Sequence, residues 1–75
     1  MNYWDRLRHV REERNLTQEE VGNLINKSQQ GYNHIETGRI KMGIDDLATL
    51  CKFYNISADY LIGLTDKEKK LDNES

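Results

Sequence analysis

Gln29, Gln30, Asn33 and His34 are the residues of this chain whose type and spacing could act on a ligand. At about 100° per residue they share one polar arc of a helix, with Tyr32 and Ile35 on the other side. An amide side chain carries a donor and an acceptor together, and that pair matches the edge of an adenine in the DNA major groove. A short helix presenting such a row is suited to reading duplex DNA. The bland alternative, an ordinary solvated helix face, is not excluded by composition alone.

The neighbouring elements must hold that helix. Residues 17–38, TQEEVGNLINKSQQGYNHIETG, read as two short helices joined by a tight turn. Thr17 is the N-cap of the first, and Glu20 three positions later completes a capping box. Val21, Leu24 and Ile25 form its expected buried stripe. Gly22 either admits another helix closely or is a weak helical position costing about 1 kcal/mol. Asn26-Lys27 is the turn, Ser28 caps the next helix, and Thr37-Gly38 ends it. Upstream, Trp4, Leu7 and Val10 predict a helix from Tyr3 to Arg14, closed by Asn15, with Leu16 packing beneath the turn. Downstream, Arg39 to Gly43 is a connection. A fourth helix starts near Ile44, with Asp45 and Asp46 at its positive end. Ile44, Leu47, Leu50, Cys51 and Tyr54 are expected to face inward, and Asn55 closes the helix. Ser57 caps a short fifth helix, Ala58 to Ile62, stopped by Gly63. The expectation is an all-α domain over residues 1–64 and a polar, disordered tail over 65–75, with no repeat and no second domain.

Composition narrows the function. A chain of 75 residues has little room for both a core and a deep catalytic cleft. No apolar run is long enough to cross a membrane, and MNYWDRLRHVREER is too charged for a signal peptide, so a cytoplasmic protein is expected. The single cysteine, Cys51, allows no intrachain disulfide and reads as a buried thiol on an apolar stripe. With only His9 and His34 beside it, no metal site is expected. There is no nucleophile with a plausible histidine partner and no phosphate-binding glycine loop, so neither an enzyme nor a cofactor is expected. Net charge is −2. Residues 1–57 balance eight Lys/Arg against eight Asp/Glu, and residues 58–75 supply the excess with three Lys and five acids. Attraction to phosphate must therefore come from local placement, giving modest, salt-sensitive non-specific affinity.

The combined order of LTQEEVG at 16–22, SQQ at 28–30, IETG at 35–38 and IDDLATLCKFYNISADYLIGL at 44–64 resembles the lambda-repressor-like helix-turn-helix family, which includes the Cro and phage-repressor DNA-binding domains. The resemblance covers about residues 3–64. It implies a compact five-helix bundle whose second helix lies across the DNA backbone and whose third enters the major groove, usually as a dimer on a two-fold symmetric operator. By position it implies that Gln29 and Gln30 read bases and that His34 contacts a base one turn on, with Asn33 beside it on the same face, so Gln29, Gln30, Asn33 and His34 are together expected to read bases. Gln18, Ser28, Arg39 and Lys41 are the implied phosphate contacts, Gln18 also bracing the reading helix. Arg11 and Glu36 match a structural salt bridge between the first and third helices. Four positions depart from the family pattern. Asn26 replaces a turn glycine, which asparagine tolerates. Lys27 replaces an apolar residue. Gly31 weakens the reading helix by about 1 kcal/mol while letting its backbone approach DNA. Met42-Gly43 replaces proline-serine ahead of the fourth helix.

Trp4, Tyr32, Phe53, Tyr54 and Tyr60 read as core or interface residues, and Arg6, Arg8 and Arg14 as surface or rim residues. Tyr54, Tyr60, Leu61 and Leu64 gather more apolar surface than a short helix hides, and are read as a self-association surface against simple packing on the fourth helix. The chain is expected to be a sequence-specific regulator of transcription that binds double-stranded DNA, a repressor acting as a homodimer on a pseudo-palindromic operator, with no membrane or small-molecule partner. The alternative is a protein-interaction module, an antitoxin-like partner binder retaining the fold, which the near-neutral body favours.

Overall fold

The computed structural model describes residues 2–68 and 70. Their helices are α1 (Tyr3–Glu13), α2 (Gln18–Leu24), α3 (Gln29–Glu36), α4 (Ile44–Tyr54) and α5 (Ala58–Leu61), with no strand among the described residues. The chain is an all-α bundle containing a helix-turn-helix. α2 packs on α3, α1 on α3 and α5, and α4 on α5. Leu7, Val10, Val21, Tyr32, Ile35, Leu50, Ile56 and Leu61 form the fully covered centre of the core.

Local chemistry sets the helix ends. Thr17 Oγ1 accepts from the Glu20 amide at 3.0 Å, and the Thr17 amide donates to Glu20 Oε1 at 2.8 Å, so both halves of the capping box are present. Ser28 Oγ accepts from the Gly31 amide at 3.0 Å. Ser57 departs from expectation. Its side chain makes no cap hydrogen bond, and its hydroxyl is buried with no protein partner. Asn15, Asn26 and Asn55 have φ of 57°, 57° and 58°, so asparagine supplies a left-handed residue after α1, α2 and α4 alike.

Gly22 is needed for close approach. A Cβ there would lie 2.9 Å from the Lys27 carbonyl oxygen and 3.3 Å from Tyr32 Cβ, so the bare backbone lets the turn and α3 close onto α2. The same approach corrects the α2 stripe. Its buried arc runs through Val21, Gly22 and Ile25, and Leu24 lies about 100° off the centre of that arc, 40% exposed. On α4, Leu50, Cys51 and Tyr54 are buried and Leu47 is half-buried. Ile44, a turn earlier at the first helical position, lies beyond the core and is 78% exposed rather than inward.

Arg6 is the largest departure. Instead of a rim residue it is 3% exposed, one turn from Val10 on the inner side of α1. Its guanidinium lies 4.1 Å from the centre of the Tyr60 ring and donates to the carbonyls of Tyr60 and Thr65 and to Asp66 Oδ1. Arg14 approaches Glu68 at 3.6 Å. Arg6 of α1 and Arg14 at its C-terminal cap thus tie down the start of the segment expected to be a loose tail. Its part at residues 69 and 71–75 lies outside the described residues.

The left-handed turn at Asn26 carries a stability consequence. Asn26→Gly should leave the urea midpoint unchanged or raise stability by up to about 1 kcal/mol, whereas Asn26→Val should lower it by about 1–2 kcal/mol. Equal midpoints for the two variants would show that this backbone angle does not constrain the turn.

Candidate nucleic-acid interface

A polar network fixes the orientation of α3 before any ligand arrives. Glu36, in its last turn, is 1% exposed. Arg11 Nε donates to Glu36 Oε2 at 2.8 Å and Arg11 Nη2 to Oε1 at 3.1 Å, a two-pronged contact between α1 and α3. Arg11 Nη1 also donates to the Leu16 carbonyl at 2.8 Å, fastening the α1–α2 connection. Gln18 Nε2 donates to Glu36 Oε1 at 3.2 Å, and Asn33 Nδ2 donates to Gln18 Oε1 at 3.3 Å. Three helices therefore meet on one carboxylate. Burying that acid also removes negative charge from the outer face of α3, where a carboxylate would repel phosphate.

On that outer face Gln29 and Gln30 are exposed, and Asn33 and His34 are half-buried. Gln18, Ser28, Gln29, Gln30 and Asn33 line one shallow polar depression. The structure brings the two glutamines, Gln18 and Ser28 together there. Past the C-terminal end of α3, the His34 carbonyl accepts from the amides of Arg39 and Ile40, at 2.9 and 3.2 Å. The Met42 amide donates to the Tyr3 hydroxyl at 3.2 Å, pinning the connection to α1. Arg39 and Lys41 are exposed on this pinned stretch and form no ion pair among the described residues. Lys27 lies 3.6 Å from Asp46. At the end of α3, Gly38 has φ +80°, and a Cβ on it would lie 2.8 Å from Trp4 Cε2. The indole thus occupies the space that a side chain at 38 would need.

The four residues read as a self-association surface do not form one. Tyr54, Tyr60 and Leu61 are buried in the protomer's own core, Tyr60 beneath Arg6, and Leu64 alone of the four is exposed, at 76%. The apolar surface that remains open lies beside them. Ile44 and Leu47 sit between two shallow grooves, one lined also by Tyr3, Met42 and Ile62, the other by Ala48 and Ala58. Sequence reasoning missed this surface because it turned Ile44 inward. It also missed the bond between Gln18 and Asn33, which no spacing signal announces across 15 positions.

Burial shapes the titration of several groups. Hydrogen bonding to Glu36 holds the Arg11 guanidinium above its usual value, against the opposing effect of burial. Burial pushes the Tyr54 phenol up to about 12, with the Glu36 charge adding to it. The Tyr32 phenol is raised by the same two causes. Burial raises the Cys51 thiol too, so it stays protonated at neutral pH and is a poor nucleophile. No group of His, Cys, Asp and Glu among the described residues is placed to hold a metal ion.

A family profile described as helix-turn-helix (HTH_3) matches residues 7–61. The chain belongs to the lambda-repressor-like helix-turn-helix family. Members of this family are DNA-binding transcriptional regulators. The chain is 36% identical over 64 residues to an uncharacterized HTH-type transcriptional regulator, YobD, of Bacillus subtilis (strain 168), covering 85% of this chain and 57% of that protein. It is 30% identical over 70 residues to the HTH-type transcriptional regulator ImmR of the same strain, covering 93% and 55%. The chain therefore spans a little over half the length of these curated relatives. No solved structure matches it. No helix of the described residues is long and apolar enough to cross a membrane.

Two measurements follow from the network and its surroundings. Arg11→Ala should destabilise the fold by about 3–5 kcal/mol in urea unfolding, because it leaves a buried carboxylate without its cation. A loss below about 1 kcal/mol would mean that water reaches Glu36. In alkali, Tyr54 ionises at an ordinary value near 10 when unfolded and only at about 12 when folded. Its contribution is intact below about pH 10 and is lost as pH rises toward about 12, amounting to about 2–3 kcal/mol. The difference in phenolate absorbance at 295 nm between the wild type and Tyr54→Phe should appear only together with loss of helical circular dichroism, and a difference already present at about pH 10 in the still-folded protein would contradict the burial of Tyr54.

Proposed function

We propose that this chain is a sequence-specific, double-stranded-DNA-binding regulator of transcription, a cytoplasmic repressor that occupies an operator as a homodimer. The observation that carries the reading is the outer face of α3. Gln29 and Gln30 stand exposed on it, the helix's one acid is turned into the core, and two exposed cations, in no ion pair among the described residues, follow it. Each exposed amide offers the paired donor and acceptor that an adenine edge requires, worth about 1–3 kcal/mol of discrimination per good contact. His34, one turn on, contributes a further base contact. Gln18, Ser28, Arg39 and Lys41 flank the helix at both ends and supply the phosphate contacts that set its register.

A second copy accounts for the open apolar surface. Ile44 and Leu47 lie one turn apart on α4, and pairing them across a two-fold interface would remove the most exposed large aliphatic side chain from water. The pair would set two α3 helices in successive major grooves about one helical turn apart, on a pseudo-palindrome.

The deciding experiment is selection from a random duplex DNA pool at near-physiological salt, followed by sequencing. A two-fold symmetric site is expected, with half-sites about 10 base pairs apart centre to centre. Folded protein that enriches nothing would move the reading to a protein-interaction module. With a site in hand, Gln29→Ala combined with Gln30→Ala should abolish the sequence preference while leaving the fold intact. Lys41→Ala should instead weaken binding to every duplex and reduce the salt slope by about one. Retained preference in the double variant would remove the glutamines from the reading role.

A further inference from the structure

We infer that Asn33 is a positioning residue that holds the Gln18 amide with its N–H group available to the DNA backbone, and that it does not read a base. The inference rests on the DNA-binding reading above.

It follows from the polarity of the chain of hydrogen bonds. Glu36 carries a carboxylate, which only accepts, so the Gln18 amide must turn its NH2 group toward it, at 3.2 Å. That orientation aims Gln18 Oε1 the other way, where Asn33 Nδ2 donates to it at 3.3 Å. The order is then fixed from Arg11 to Glu36 to Gln18 to Asn33, with no member free to flip. Gln18 Oε1 thus already accepts from Asn33, and one hydrogen of its amide is committed to Glu36. A second N–H remains to it, and Gln18 lines the depression shared with Ser28, Gln29 and Gln30. That N–H donor suits a phosphate oxygen. Without Asn33, the Gln18 oxygen would be left bare beside the same phosphate and would repel it. Asn33 itself is half-buried and commits an amide N–H to α2, whereas Gln29 and Gln30, the exposed amides of α3, make no such bond among the described residues.

The test compares wild type, Asn33→Ala, Gln18→Ala and the double variant by selection and sequencing from a random duplex pool. Affinities for the enriched duplex and for a scrambled duplex are measured alongside. Alanine is the best helix former, so the Asn33→Ala helix is expected to stay folded, which circular dichroism checks. Asn33→Ala should lose about five- to tenfold in affinity for both duplexes with an unchanged site preference. In the Gln18→Ala background the same change should cost nothing further. A preference lost at one base pair in Asn33→Ala, or an equal loss with and without Gln18, would overturn the inference while leaving the regulator reading intact. A wild-type chain that selects no site overturns both.

Discussion

The buried pair of Arg11 and Glu36 is the constraint on which the arrangement of this molecule depends. A carboxylate almost wholly removed from water is tolerated only when its partners are close and its lone pairs are filled. Here the filling comes from α1 through Arg11 and from α2 through Gln18, while the acid belongs to α3. The pair therefore does more than join two helices. Any rotation of α3 about its axis would break charge-assisted bonds at about 3 Å, so the outward bearing of Gln29 and Gln30 is set by a bond about two turns further along their helix. Apolar packing of Tyr32 and Ile35 supplies the adhesion, and the ion pair supplies the angle.

A near-neutral chain can still offer a surface suited to an anion. The acid of α3 is spent internally, the acid of the α2 capping box is held by Thr17, and Arg39 and Lys41 lie on a connection tethered through Tyr3 and the His34 carbonyl. Charge is sorted by position. Such a surface leans on correct geometry more than on bulk attraction, which fits a reader better than a non-specific binder.

Much of the fold was legible in the sequence wherever one residue's chemistry decides a backbone angle. Asn15, Asn26 and Asn55 mark left-handed positions, and Thr17 with Glu20 is a capping box by spacing alone. The Arg11–Glu36 pair was legible from family resemblance and not from local pattern, since its members are 25 positions apart. What escaped were the features decided by how whole helices rotate against one another. Leu24 and Ile44 have the right type and spacing for a core face, yet the close approach at Gly22 and the end of the core near Leu47 turn them to solvent. Arg6 escaped for the opposite reason. Its charge suggests the surface, and only the arrival of the Tyr60 ring and the Thr65 and Asp66 oxygens makes its burial favourable.

The contact between Trp4 and Gly38 has an optical meaning. The indole is the only tryptophan in the chain, and it lies against the backbone immediately beyond the C-terminal end of α3. Its emission reports the polarity and quenching around that junction, at the other end of α3 from the exposed Gln29 and Gln30. The molecule thus carries its own fluorophore at the root of its recognition element. A shift of α3 against α1 is visible as light, with no label attached.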